Sequence, residues 1–172
     1  DDCKLCLPGT YNNKIGQANC TNCKPGQSNG DYGKTLCKSC TPGMYSNKSK
    51  SRECTECTVG TVACNTGSTN CIPCNRGKYY DKLGGTSCKD CVPGTYSEKE
   101  QAGNEDECKR CPQGKWNDAK AATNCLECSN QFCEGGMDCK IGRTGSMCSD
   151  CDKGYFKVSN DLCQKCPDTT VF

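Results

Sequence analysis

Cysteine is the one side chain abundant enough here to do chemistry, with 23 copies in 172 residues. Sixteen of them form eight regularly spaced CxxC pairs: Cys3/Cys6, Cys20/Cys23, Cys37/Cys40, Cys54/Cys57, Cys71/Cys74, Cys88/Cys91, Cys108/Cys111 and Cys125/Cys128. The first six pairs follow one another every 17 residues. The next interval is 20, because SEKEQAGNEDE lengthens one loop, and the period of 17 then resumes. Paired thiols at such spacing serve three chemistries: zinc ligation, thiol redox exchange and structural cystine. Zinc would use C-x2-C-x13-C-x2-C to make four sites of four thiolates each. Against it, the phase never alternates between ligand pairs and linkers, a Gly-centred turn recurs in every regular loop, and the basic residues of a nucleic-acid finger are missing. A thiolate sponge would not need aromatics at fixed positions. Redox exchange needs one activated pair on a βαβ scaffold, whereas these pairs are equivalent. Structural cystine remains.

Other catalytic chemistry has no foothold. Histidine is absent, which removes the commonest general base and any Ser-His or Cys-His couple. No glycine-rich phosphate loop follows a strand. The acidic cluster Glu98, Glu100, Glu105, Asp106 and Glu107 reads as a solvated loop, not a calcium site. The expectation is a protein that is not an enzyme, with no cofactor and no metal.

Composition points the same way. Hydrophobic residues make up 33%, but that figure includes the cysteines, and only three Phe and one Trp are present. Too little aliphatic and aromatic volume remains for a conventional core. Cystine at this density requires an oxidising compartment, so the chain is expected to be extracellular or at a cell surface. Lys plus Arg (22) nearly balance Asp plus Glu (20), with no basic run to mark a nucleic-acid or anionic membrane footprint. The apolar runs are too short for a membrane span in this segment. No leader precedes Asp1, and with Cys3 and Cys166 near the two ends the segment reads as part of a longer or processed chain.

The elements that must position the cysteines repeat in phase with them. Three residues after the second cysteine of a pair stands a glycine: Gly9, Gly26, Gly43, Gly60, Gly77, Gly94 and Gly114. Proline precedes four of these, and Pro-Gly suits the centre of a type II turn. Two residues further on comes an aromatic at Tyr11, Tyr45, Tyr79, Tyr96 and Trp116, with Ser28 and Val62 departing from the pattern. A second glycine often lies four residues before the closing cysteine, as at Gly16, Gly33, Gly67 and Gly84. The middle of each unit reads as two very short strands without helix. The aromatic is expected across a neighbouring disulfide, where sulfur and ring contacts replace a core. A fixed period with a repeated motif marks a serial array. The fold class expected is therefore small and disulfide-rich, an elongated tandem array of short β-hairpin and loop repeats of period 17, with almost no helix and no large hydrophobic core.

Residues 1–127 hold the tandem repeats, with one loop lengthened at 92–107. From 128 to 172 the spacing becomes uneven at Cys133, Cys139, Cys148, Cys151, Cys163 and Cys166, although CDKGYFKVSNDLC restores a glycine and an aromatic at Gly154 and Phe156.

The units CLPGTYNNKIGQANCTNC, CTPGMYSNKSKSRECTEC and CVPGTYSEKEQAGNEDECKRC resemble the cysteine-rich repeats of ephrin-receptor-like and tumour-necrosis-factor-receptor-like ectodomains. They are also similar to tandem repeats of protist surface proteins. The tail CKIGRTGSMCSDCDKGYFKVSNDLC is similar to the second half of a laminin-type EGF-like module. These resemblances imply architecture more than function, because such modules serve receptors, spacers, coats and filaments. Carried over, the receptor pattern implies Cys6–Cys20, Cys23–Cys37, Cys40–Cys54, Cys57–Cys71, Cys74–Cys88, Cys91–Cys108 and Cys111–Cys125. The laminin-type pattern adds Cys139–Cys148 and Cys151–Cys163. A crossed pattern, Cys3–Cys20 with Cys6–Cys23, competes, and connectivity cannot be read from sequence alone. Cys128 and Cys133 stay unassigned.

Cys3, Cys64 and Cys166 are left over as candidates for intermolecular cystine, against a local pairing or a free thiol. Asn47 and Asn19 begin Asn-x-Ser/Thr tripeptides in polar loops and are candidate glycosylation sites. The function expected is an extracellular structural protein, the rod or filament subunit of a surface fibre, coat or spacer. The alternative is a receptor or adhesion ectodomain binding a protein ligand through its loops. Partners are then further copies of the chain or other extracellular proteins, with N-linked glycans and without nucleic acid.

Overall fold

The structure, a computed structural model, describes residues 5–128, 132–159 and 162–166. Among these residues every strand belongs to an antiparallel two-stranded hairpin. The first four hairpins pair β1 (Thr10–Tyr11) with β2 (Thr21–Asn22), β3 (Gln27–Ser28) with β4 (Lys38–Ser39), β5 (Met44–Tyr45) with β6 (Thr55–Glu56), and β7 (Thr61–Val62) with β8 (Ile72–Pro73). The next three pair β9 (Lys78–Tyr79) with β10 (Lys89–Asp90), β11 (Thr95–Tyr96) with β12 (Lys109–Arg110), and β13 (Lys115–Trp116) with β14 (Leu126–Glu127). The uneven tail adds β15 (Cys133–Gly135) with β16 (Asp138–Cys139), β17 (Arg143–Thr144) with β18 (Asp150–Cys151), and β19 (Tyr155–Ser159) with β20 (Leu162–Lys165). Among the described residues helix is confined to two 3-10 turns, Glu105–Glu107 and Ser146–Cys148. The expected fold class of short hairpins and serial cystines, almost without helix, is what the structure shows.

Why such short strands form at all is settled by the turns that feed them. In Leu7-Pro8-Gly9-Thr10 the Thr10 amide donates to the Leu7 carbonyl at 3.0 Å and Gly9 takes φ 83°, which is a type II turn. The hairpin then closes where the Cys23 amide meets the Gly9 carbonyl at 2.9 Å. The tail uses the same device: the Asp152 amide donates to Gly142 at 3.0 Å and the Cys166 amide to Gly154 at 2.8 Å. A two-stranded hairpin is marginal on its own in water, so each rung depends on its neighbours.

The described chain forms two compact units. The first takes the chain to Asn75 with Tyr79–Lys89 and Glu100–Glu105, and the second takes Arg76–Lys78, Asp90–Lys99 and the chain from Asp106 onward. Within the first, three backbone hydrogen bonds join each rung to the next. The turn glycine donates forward, as Gly26 to the Ser46 carbonyl at 2.7 Å and Gly43 to Ala63 at 2.8 Å. The residue three past that glycine also donates forward, as Asn29 to Ser51 and Ser46 to Ser68, each at 3.1 Å. The corner before the closing cysteine donates back, as Lys50 to Cys23 at 2.8 Å and Gly67 to Cys40 at 2.7 Å. The second unit uses the same three bonds, for example Gly94 to Asn117, Ser97 to Ala122 and Ala121 to Cys91.

That corner is left-handed in all seven regular rungs: Gly16, Gly33, Lys50, Gly67, Gly84, Gln101 and Ala121. Sequence inspection finds only the four glycines, since Lys50, Gln101 and Ala121 hold φ of 55–61° without one. The three extra residues of the lengthened loop fall after Gln101, where the Glu105–Glu107 turn takes them up. Packing is equally regular. The second cysteine of each pair from Cys6 to Cys111 is buried, whereas the cysteine it bonds stays half-buried or exposed. An apolar cluster joins Trp116 to Cys133 and Cys148, flanked by Cys128, Phe132, Cys139 and Met147. Ser28, at the aromatic position of its rung, has its hydroxyl 3.3 Å from the Cys54 sulfur. Ring or hydroxyl against a neighbouring cystine thus replaces a core at both places.

Two outcomes follow from this packing. A Cβ on Gly43 would lie 2.3 Å from the Gly84 carbonyl oxygen, two rungs later, whereas one on Gly114 meets nothing within 4 Å. G114A is expected to cost about 1–2 kcal/mol, for the left-handed backbone alone, and G43A a further 1–3 kcal/mol of overpacking, read from urea midpoints without reductant. Tyr79 is buried, which pushes its phenol above its usual range, with the Glu105 carboxylate adding to the effect and Lys89 opposing it. The neutral phenol is the form the fold favours, so its contribution is complete below about pH 10 and is lost as pH rises through the higher folded value. Absorbance titration near 295 nm is expected to show one of the seven tyrosines ionising after the others. Y79F should remove that late component.

Candidate functional site

Disulfides, exposed thiols and one groove are the features with chemical content. The seven regular loops close as Cys6–Cys20, Cys23–Cys37, Cys40–Cys54, Cys57–Cys71, Cys74–Cys88, Cys91–Cys108 and Cys111–Cys125, with Cα–Cα separations of 5.5–5.8 Å. The hairpin register brings these pairs together, because the first cysteine stands just before the glycine turn and the second just before the return strand. The tail carries Cys139–Cys148 and Cys151–Cys163. Cys128 and Cys133, which spacing leaves unassigned, bond to each other. Cys64 and Cys166 are free and exposed, and Cys3 lies outside the described residues.

Cys64 follows the buried Ala63 and occupies the exposed position that Asn47 holds in the preceding rung. Asn19 is exposed as well. Both asparagines therefore stand where a glycan can be accommodated. In the acidic cluster of the long loop, Glu107 pairs with Lys99 at 2.7 Å. Among the described residues no group of three or more His, Cys, Asp or Glu is placed to hold a metal ion. No helix among them is long and apolar enough to cross a membrane.

A cavity of about 610 Å³ opens in the second unit between Trp116, Asp118, Met137, Asp138, Arg143 and Ser146. Its elements come from β13, the β15–β16 hairpin, β17 and the Ser146–Cys148 turn. Arg143 lies against it with its guanidinium carbon 3.9 Å from the centroid of the Phe132 ring, a cation–π arrangement. Asp138 is held by Arg110, and Asp118 accepts from the Ser146 hydroxyl at 3.4 Å. Sequence reading passes over Arg143. Its signal is position: in IGRTG it directly follows the turn glycine, a slot held by Thr10, Thr61 and Lys115 in regular rungs.

Sequence reading also misses the small polar residue three past the turn glycine. Asn29, Ser46, Ser97 and Asn117 are buried there. The Asn29 side-chain amide donates to the Thr10 carbonyl at 2.8 Å, and its oxygen accepts from the Asp31 amide at 3.1 Å. Asn117 repeats both contacts with Thr95 and Ala119. A short side chain that donates and accepts is what a buried backbone crossing between rungs demands.

Comparison with known families places a match over residues 60–108, to the family described as tyrosine-protein kinase ephrin type A/B receptor-like. The matched stretch includes the loops closed by Cys74–Cys88 and Cys91–Cys108. Comparison with curated proteins gives no match. The family match and the serial cystines mark a cysteine-rich repeat of extracellular type. Maleimide labelling of the unreduced chain is expected to modify Cys64 and Cys166 while leaving the ten bonded pairs untouched. Peptide mapping that finds label on Cys23 or Cys57 would contradict the bonding described.

Proposed function

We propose that the chain is a non-catalytic extracellular module that serves as the shaft or spacer of a surface fibre or coat and associates with further copies of itself. One observation carries the reading: the same three backbone bonds and one cystine recur rung after rung, with the sequence free to vary outside them. A part built by repetition of one bracing unit is suited to length and resistance to proteolysis. Each loop of about 15 residues contributes about 3 kcal/mol by restricting the unfolded chain. The exposed Cys64 and Cys166 thiols are the groups through which copies would join covalently, in a step that needs an external oxidant such as a disulfide exchanger. Glycans on Asn47 and Asn19 would shield the exposed loops.

Electrophoresis of native material without reductant is expected to show a ladder or very large species. Reduction should collapse it to a single band. A monomer under both conditions would overturn covalent self-association.

A further inference from the structure

Two of the side chains that line the groove of the second unit, Trp116 and Arg143, each bury one nitrogen that has no hydrogen-bond partner. Trp116 is 4% exposed and Arg143 7% exposed. The indole Nε1 of the first and the Nη2 of the second have no hydrogen-bond partner. Among the described residues no carboxylate forms a salt bridge with Arg143, although Arg110 does pair with Asp138 nearby. A buried donor without an acceptor costs about 1–3 kcal/mol, more when it is charged, and a buried guanidinium ordinarily has an anionic partner. Two such groups line one groove. The backbone beside them is strained too, since Met147 and Cys148 hold φ of 53° and 59°, and strain of that kind gathers at binding sites.

We propose that this groove binds an extended segment of another protein, which supplies an Asp or Glu carboxylate to Arg143 and Trp116 and carries a Lys or Arg beside it. Both orphan groups are N–H donors, so the ligand must bring acceptor oxygens, and a guanidinium whose charge meets the Phe132 ring and no carboxylate asks for a negative one. The rim is acidic: Asp118 and Glu134 line the groove and are exposed. They repel a simple polyanion and favour a carboxylate with a cationic neighbour. The two nitrogens are closed to water, so the ligand enters by displacing a rim side chain. Met137, which is unbranched, exposed and lines the groove, is suited to swing aside. This site does not depend on the spacer reading, and its failure would leave that reading intact.

The test presents the whole unreduced chain to an immobilised library of acetylated hexapeptides. Enrichment of sequences with an acid next to a base is expected. The best of them, resynthesised, should change the fluorescence of Trp116, the only tryptophan, in a saturable way. R143Q should weaken that peptide at least tenfold, with R143K intermediate. D118N/E134Q alters exposed side chains only and should keep carboxylate selection while losing the preference for the flanking base. No enrichment, enrichment without carboxylate, or affinity unchanged in R143Q would each overturn the site.

Discussion

Cys40 uses every group it has. Its amide donates to the Gly26 carbonyl at 2.9 Å, its carbonyl accepts from the Gly67 amide at 2.7 Å, and its sulfur closes the loop at Cys54. It is almost completely buried while doing so. The residues before it and after it hold three rungs in place through one backbone. The same holds for Cys23, Cys57 and their equivalents. Because the backbone of a later rung lies against the turn glycine at Gly9, Gly26, Gly43, Gly60 and Gly77, a side chain there has no room, and the turn cannot drift. The regular period of the sequence follows from this closeness.

A fold braced in this way does not require large apolar side chains. Cystine sulfur and half-buried rings occupy the small interior, and the free energy that a core would supply comes instead from a restricted unfolded state and from satisfied backbone groups. That leaves the exposed strand positions open to charge. Lys115 and Glu127 stand opposite each other on β13 and β14 and pair at 2.8 Å, and Lys78 and Asp90 pair at 2.5 Å across the β9–β10 hairpin. Such exposed pairs add little to stability. They keep short edge strands charged, which discourages sheet growth between molecules.

The tail shows how one hairpin plan serves a second purpose. Gly136 takes the left-handed corner position and donates to the Cys111 carbonyl, as a regular corner would, and the Cys133 carbonyl receives the Gly114 amide. The irregular cysteines therefore continue the bonding pattern within the second unit while bringing Phe132 and Arg143 together beside Trp116. A buried arginine on an aromatic ring has no counterpart in the regular rungs. The groove arises where repetition stops.

Read alone, the sequence determined the period, the glycine turn, the hairpin loops and the oxidising setting. Each of these is a local requirement written at a fixed spacing: φ above zero at Gly43, a proline before it, a cysteine at either end of the loop. It left sequential and crossed cystine pairing open, because eight equivalent CxxC pairs contain no local difference between the two. Only the tertiary structure decided that pairing, together with the partnership of Cys128 and Cys133, through the register that sets each inner cysteine across its own hairpin. Only it revealed Lys50, Gln101 and Ala121 as left-handed corners, since the backbone of neighbouring rungs imposes a conformation that these residue types do not signal. Arg143 and Trp116 lie 27 positions apart and meet at one groove for the same reason: long-range packing is a property of the folded chain and has no spacing to be read.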